Sequence, residues 1–159
     1  GYYKRPEATA EVIDEEGWLY TGDQAVEDED GYFAIVGRIK DMVIVGGFNV
    51  YPRELEEYLM THPKVLEVSV VGVPDHDLGE VVGAAVIPHP GVELDPVEIV
   101  DFCYGKMASA KVPRYVMVVD ELPISGRGKV QKFRLKDIFK DAVKEGRIHK
   151  LKPSALQKK

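Results

Sequence analysis

Only one cysteine, Cys103, stands among the 159 residues, so no internal disulfide can form and the chain suits a reducing compartment. No stretch approaches the roughly 18 consecutive apolar residues of a membrane-spanning helix. The opening Gly1-Tyr2-Tyr3-Lys4-Arg5-Pro6 lacks the apolar segment of a signal peptide. A cytoplasmic location and no integral membrane segment are therefore expected. Positive charge is in deficit, 21 basic against 27 acidic residues for a net charge of -6, which speaks against nonspecific nucleic-acid binding. His62, His76, His89 and His149 are scattered without ligand spacing, so no metal site is argued. There is no Ser-His-Asp order and no nucleophile elbow. What is present is 45% hydrophobic residues, with one Trp, eight Tyr and five Phe, enough for a core in one or two small domains. The carboxylates gather before residue 102 and the chain ends on lysines, which allows a local anion site in the second half. With no initiator Met, the chain is expected to be a piece of something longer.

Residues 1–39 read as turns and short strands. Asp14-Glu15-Glu16-Gly17 is a turn leading to a short strand at Trp18-Leu19-Tyr20, and Asp28-Glu29-Asp30-Gly31 is a hairpin signal followed by Tyr32 to Val36. This stretch is too small to bury its own aromatics. A boundary falls at Gly37-Arg38-Ile39-Lys40-Asp41. Beyond it, Met42 to Val45 and Phe48 to Val50 form a strand pair around Gly46-Gly47. Pro52 opens a helix with Leu55, Tyr58 and Leu59 on its buried stripe. Val65 to Val73 and Val81 to Ile87 are β-branched runs that pair across the turn Pro74-Asp75-His76-Asp77. Asp95-Pro96 starts a second helix, with Val97, Val100, Cys103 or Tyr104, and Met107 as its apolar positions. A strand over Tyr115 to Val119 follows, then a third helix carrying Leu135, Ile138, Phe139, Ala142 and Val143. After Gly146 the periodicity fades into a basic tail. The class is α+β: a small mixed or antiparallel sheet packed with about three helices, preceded by a short β segment.

Several residues carry potential chemistry, and each has an ordinary structural reading beside it. Asp23, in Thr21-Gly22-Asp23, can accept two hydrogen bonds from a vicinal diol, or can be a turn aspartate satisfied by its own backbone. Arg38 can hold a ribose or phosphate oxygen, and Lys40 can be a solvated linker charge. Gly46-Gly47 permits positive φ, either for a plain hairpin or for a ligand threading past. In Gly126-Arg127-Gly128-Lys129 the glycines allow close approach to a phosphate and Lys129 offers a compact point charge, although the Walker spacing is absent. Cys103 sits in an apolar helical pattern and reads as core.

In order, these segments resemble the adenylate-forming acyl-CoA synthetase superfamily. The resemblance rests on Trp18-Leu19-Tyr20-Thr21-Gly22-Asp23, Gly37-Arg38-Ile39-Lys40-Asp41 and Gly46-Gly47-Phe48-Asn49-Val50-Tyr51-Pro52-Arg53-Glu54-Leu55-Glu56. It continues through Val71-Gly72-Val73-Pro74-Asp75, Lys111-Val112-Pro113-Arg114-Tyr115 and Gly128-Lys129-Val130-Gln131-Lys132, and covers residues 1 to about 142. The wording is most similar to medium-chain and general fatty-acyl-CoA ligases. Ala110 stands where many relatives carry an aromatic residue, and Ile44 where several carry a lysine used in the second step, so neither role is carried over.

The resemblance implies a C-terminal fragment of an ATP-dependent fatty acid:CoA ligase, inactive alone. Residues 1–39 would be the end of the large AMP-binding domain, 40–145 the mobile C-terminal lid and 146–159 a basic tail. It further implies Lys129 as the catalytic lysine of adenylation, Asp23 and Arg38 at the nucleotide and Lys40 as the hinge. Gly46 and Gly47 would line the pantetheine tunnel, with Lys111 and Arg114 meeting the coenzyme A phosphates. ATP with Mg2+, whose ligand would lie in the missing N-terminal domain, and coenzyme A are the implied cosubstrates, beside a fatty acid. The missing domain is the implied protein partner, and self-association of the fragment is a further expectation. The alternatives are an adenylation domain loading a carrier protein and a non-catalytic α+β binding module.

Overall fold

The computed structural model describes residues 1–157; Lys158 and Lys159 of the expected basic tail lie outside them. The chain divides into two compact units, Gly1–Lys40 and Asp41–Lys159.

In the first unit Pro6 presets the backbone for a one-turn helix, α1 (Pro6–Ala10), in a stretch where only turns and strands are expected from the sequence. Asp14 Oδ1 accepts from the N–H groups of Glu16 and Trp18 at 3.0 and 2.9 Å, closing the first turn. The expected strand at Trp18–Tyr20 does not form. Leu19 makes one isolated bridge to Ile13, and Tyr20 instead spends its hydroxyl on Asp14 Oδ2 at 2.9 Å. The flanking backbone bonds, Tyr20 N–H to Val12 O at 2.8 Å and Asp14 N–H to Trp18 O at 3.1 Å, complete that single bridge and the pairing goes no further. The second turn does close a hairpin, β1 (Asp23–Glu27) against β2 (Phe33–Arg38). Its aromatics find no cover: Trp18, Tyr20, Tyr32 and Phe33 are between 64% and 73% exposed.

The second unit is built on a five-stranded mixed sheet. β3 (Val43–Val45) and β4 (Phe48–Val50) form a hairpin, β5 (Val65–Asp75) and β6 (Gly79–Pro88) a long antiparallel pair, and β7 (Tyr115–Val118) runs parallel to β6. The order is β4-β3-β6-β5, with β7 also on β6. Between β4 and β5 lies α2 (Pro52–Leu59), and between β6 and β7 lies α3 (Pro96–Cys103), begun by a capping box of Asp95 and Glu98. α4 (Lys132–Lys144) follows β7, and α5 (Ser154–Gln157) is a final single turn.

Alternation along β5 and β6 feeds two cores. Val68, Val70, Val82, Ala84 and Val86 join Leu55, Leu59, Ile99 and Val100 in the first, beneath α2 and α3. Val71, Val73, Val81 and Ala85 join Leu135, Phe139 and Ala142 of α4 in the second. Two details of the sequence reading are corrected. Helix α3 buries Ile99 rather than Val97, and it stops at Cys103, so Met107 packs on the core from the loop beyond. Ile138 stays 41% exposed, because α4 turns only Leu135, Phe139 and Ala142 fully inward. The end of the chain is not a detached tail: Ile148 packs against the second core, Leu151 against the first, and Pro153 is buried.

Phe139 lies directly on the backbone of β6. A Cβ at Gly83 would meet Val73 Cγ2 at 2.5 Å and the Phe139 ring at 3.2 Å. Gly83→Ala is therefore expected to destabilise the chain by about 1–3 kcal/mol through overpacking. Urea unfolding should show a lower midpoint at unchanged slope.

Candidate functional site

In the first unit, Asp23 and Arg38 are register partners at the open end of the β1–β2 hairpin. Arg38 Nε donates to Asp23 Oδ1 at 3.1 Å, while the Asp23 N–H goes to Thr21 Oγ1 at the same distance. Asp23 is thus not satisfied by its own backbone, and its second carboxylate oxygen stays available as an acceptor. Thr21, Gly22, Arg38, Ile39 and Lys40 line an open pocket of about 400 Å³. Lys40 lies in the 3-10 turn Ile39–Asp41, where one unit gives way to the other.

In the second unit, Gly46 and Gly47 are the two central residues of the β3–β4 turn, at φ +56° and +88°. Positive φ at both positions is what a tight turn between twisted strands demands, and it favours glycine. The Gly46 N–H donates to Leu78 O at 2.9 Å. Beside it opens a mostly apolar cavity of about 210 Å³, lined by Gly46, Phe48, Leu78, Ala110 and Arg114 among others. Of the residues assigned to coenzyme A from the sequence, Gly46 and Arg114 share this cavity. Gly47 and Lys111 are not among its lining residues, and the Lys111 ammonium is held by Glu54 of α2 at 2.5 Å. Nothing within 4 Å would meet a Cβ at Gly47.

Lys129 ends a closed loop. Ser125 N–H donates to Lys129 O at 2.8 Å, Gly128 N–H to Ser125 O at 2.9 Å and Lys129 N–H to Ser125 Oγ at 3.2 Å. An isolated bridge between Ile124 and Val130 closes the base of the loop. Gly128 takes φ +74°, so the turn depends on that glycine. The side chain of Lys129 has no ion pair among the described residues, whereas Lys132 is bound to Glu56 and Lys136 to Glu80.

The sequence shows Glu56 only as one of the carboxylates in the opening turns of α2, not as a bridge. Its Oε1 accepts from Lys132 Nζ at 2.7 Å and from the Val70 N–H of β5 at 2.8 Å, tying α2, the sheet and the start of α4 together. The available signal was Lys132 itself: a lysine opening a helix opposes the dipole, and α4 has no acidic residue in its first turn to offset it. Such a cation needs a carboxylate from elsewhere. Cys103, by contrast, is fully buried, which pushes its thiol up to about 12 and leaves it unreactive.

Residues 54–129 match the family described as the AMP-binding enzyme C-terminal domain. Over 137 residues, 86% of the chain, it is 51% identical to the putative acyl-CoA synthetase YngI of Bacillus subtilis and covers 25% of that protein. It is 46% identical over the same length to the human mitochondrial medium-chain acyl-CoA ligase ACSF2 and covers 22% of it. The chain therefore spans about a quarter of the length of these relatives. Among solved structures, ATP-bound MatB from Rhodopseudomonas palustris superposes with a TM-score of 0.80 at 43% identity, over 88% of this chain and 29% of that one. The amide bond synthetase McbA from Marinactinospora thermotolerans also superposes at 0.80, with 40% identity over 87% and 28%.

The turn that holds Gly46 has its own electrostatic anchor. Asp75, with a side chain only 7% exposed, receives Lys150 Nζ at 2.6 Å and accepts from Asp77 and Leu78 N–H at 3.1 and 3.2 Å. The Lys150 ammonium foremost, and these N–H groups, hold its carboxyl below the ordinary 3.8, against the opposing pull of burial. A lowered folded-state value means that the stabilisation is complete above the unfolded value and disappears as pH falls through the folded one. The stability advantage of the native chain over Asp75→Asn should therefore be constant from neutral pH to about 5 and shrink below about 4. Urea midpoints of both proteins across that range measure it.

Proposed function

We propose, from the match of residues 54–129 to the AMP-binding enzyme C-terminal domain, that the chain serves as the C-terminal lid portion of an ATP-dependent ligase. That ligase joins a fatty acid to coenzyme A through an acyl-adenylate. The observation that carries the reading is the closed Ser125–Lys129 loop, which presents a lysine with no ion pair among the described residues while its neighbours Lys132 and Lys136 are neutralised. The loop fixes the Lys129 backbone and leaves its side chain exposed, and an ammonium there can meet the charge that develops when a carboxylate attacks the α-phosphorus of ATP and pyrophosphate leaves.

The second step, attack of the coenzyme A thiol on the adenylate with release of AMP, uses a different surface of the unit. The two-glycine turn leaves room for a slender pantetheine arm, and Arg114 on the adjoining cavity suits a phosphate. An amide-forming relative shares this fold, so the acceptor is argued from these residues and not from the fold. Asp23, oriented by Arg38, would accept from the ribose hydroxyls, and Lys40 is the position about which the lid turns between steps. The large N-terminal domain of the same protein is the partner this assignment requires. Mg2+ would enter with ATP. Among the described residues no three metal-ligating side chains converge, so none is assigned to it and no step runs through it. A cytoplasmic location belongs to this proposal as well. The human relative is mitochondrial, and among the described residues no helix is long and apolar enough to cross a membrane.

In the full-length enzyme carrying this segment, Lys129→Ala should lower pyrophosphate exchange by roughly a hundredfold or more. The same variant should convert supplied acyl-adenylate and coenzyme A at near the normal rate. Gly47→Leu should do the reverse, slowing thioester formation and sparing exchange, and Lys40→Pro should behave like Gly47→Leu because a fixed φ opposes rotation. Equal damage to both steps by Lys129→Ala and Gly47→Leu would refute the division of labour.

A further inference from the structure

The last described residues lie outside the 54–129 family match, and they grip the Gly46 cavity from both sides. On one side Lys150 Nζ meets Asp75 Oδ2 at 2.6 Å. Asp75 Oδ1 in turn accepts from Leu78 N–H at 3.2 Å, and Leu78 O accepts from Gly46 N–H at 2.9 Å. On the other side, the very next residue, Leu151, donates its N–H to Arg114 O at 2.7 Å and packs on the first core together with Ala110. Leu78 and Arg114 are both cavity walls. Residues 75 and 114 are far apart in the chain, yet they are tied to two adjacent residues, so the tie between the walls is about one residue's span of some 3.3 Å plus a lysine side chain.

The tie is itself locked. Ser154 donates its N–H to Asp101 Oδ1 at 2.8 Å and its hydroxyl to Asp101 Oδ2 at 2.6 Å, and Pro153 between them is buried. Ordering a segment with little regular secondary structure opposes chain entropy. This one is held by specific polar bonds at three successive places.

We propose that Lys150 and Leu151 are positioning residues for the Gly46 cavity. The segment from Ile148 to Gln157 is a strap that fixes the spacing of the cavity's Leu78 and Arg114 walls, and so its readiness to admit a thiol-bearing chain. The thiol rests on the function proposed above; the tie between the walls does not.

Amide hydrogen exchange on the 159-residue chain tests the tie. Lys150→Met should speed exchange at Leu78 and Gly46 by roughly tenfold, the loss of about one charged hydrogen bond. Amides in the middle of β5 and β6 should be unmoved. Lys150→Arg, which can still pair with the carboxylate, should restore protection. Leu151→Pro, which removes the donor to Arg114 O, should loosen that wall and speed exchange of the Arg114 N–H, itself bonded to Val82 O. Unchanged exchange at Gly46 and Leu78 in Lys150→Met, or at Arg114 in Leu151→Pro, overturns the strap. In the full-length enzyme, Lys150→Met should raise the KM for coenzyme A about threefold or more, leave pyrophosphate exchange unaltered and be rescued by Lys150→Arg. Faster exchange at Gly46 without a change in that KM would uphold the strap and remove the cavity's assignment to the thiol substrate.

Discussion

Everything in the second unit depends on the register of β6. It is bonded to β5 along one edge and to β3 and β7 along the other, and Val81 through Val86 are buried to the last residue. A strand enclosed on both edges and both faces can carry only small or apolar side chains, and this one reads Val-Val-Gly-Ala-Ala-Val. Sliding it by one residue would exchange the two cores, sending Val82 toward α4 and Gly83 away from Phe139. Each buried valine contributes on the order of 1.5–3 kcal/mol, so several wrongly placed ones outweigh any loop preference. The cavity follows from that register. Val45 pairs with Gly79, which brings the glycine turn beside Leu78, and Arg114 N–H bonds to Val82 O, which brings the opposite wall alongside.

Charge then sorts what the apolar core leaves free. Lys64, Lys111, Lys132, Lys136 and Lys150 are each bound to a carboxylate of the same unit. Most such pairs are partly exposed and contribute between about 0 and 1 kcal/mol each, so their importance is orientation more than stability. Glu56 fixes the start of α4, and with it the arm from which the Lys129 loop projects. Arg127 and Lys129, exposed on the same loop, keep no ion pair among the described residues.

The elements legible in the sequence are those set by local chemistry. Proline and a capping aspartate mark the starts of α2 and α3, the β-branched runs mark β5 and β6, and Asp-Gly or Gly-Gly pairs mark the two hairpins. That Asp23 pairs with Arg38 and that Gly46 and Arg114 line one cavity are seen only in the structure. What stayed hidden depends on distant partners. Around Leu19 only one bridge forms, to Ile13, because the turn at Asp14 leaves just residues 12–14 to pair with 18–20. The tail has no apolar period because it is held by single contacts to Asp75, Arg114 and Asp101, scattered through the sequence. Glu56 looks like one more surface carboxylate of a helix until Val70 and Lys132 are seen on the same oxygen.

The two surfaces with proposed chemistry, the Gly46 turn and the Lys129 loop, belong to one unit whose strands are continuously hydrogen-bonded. Neither is a long mobile loop. The first is a two-residue turn bonded to Leu78, and the second is closed by backbone bonds at its base and tip. Such short, bonded turns cannot swing several ångströms without breaking the ladders that carry them. If each surface is needed at a different step, exchange must occur by displacement of the whole unit, with the conformational change confined to the few residues before β3. That places the mechanical demand on Lys40 and its immediate neighbours, in a 3-10 turn that buries no side chain and has little packing to lose. Under the function proposed above, a rigid sheet would keep each surface accurate and the sparsely packed connection would let the two surfaces take turns.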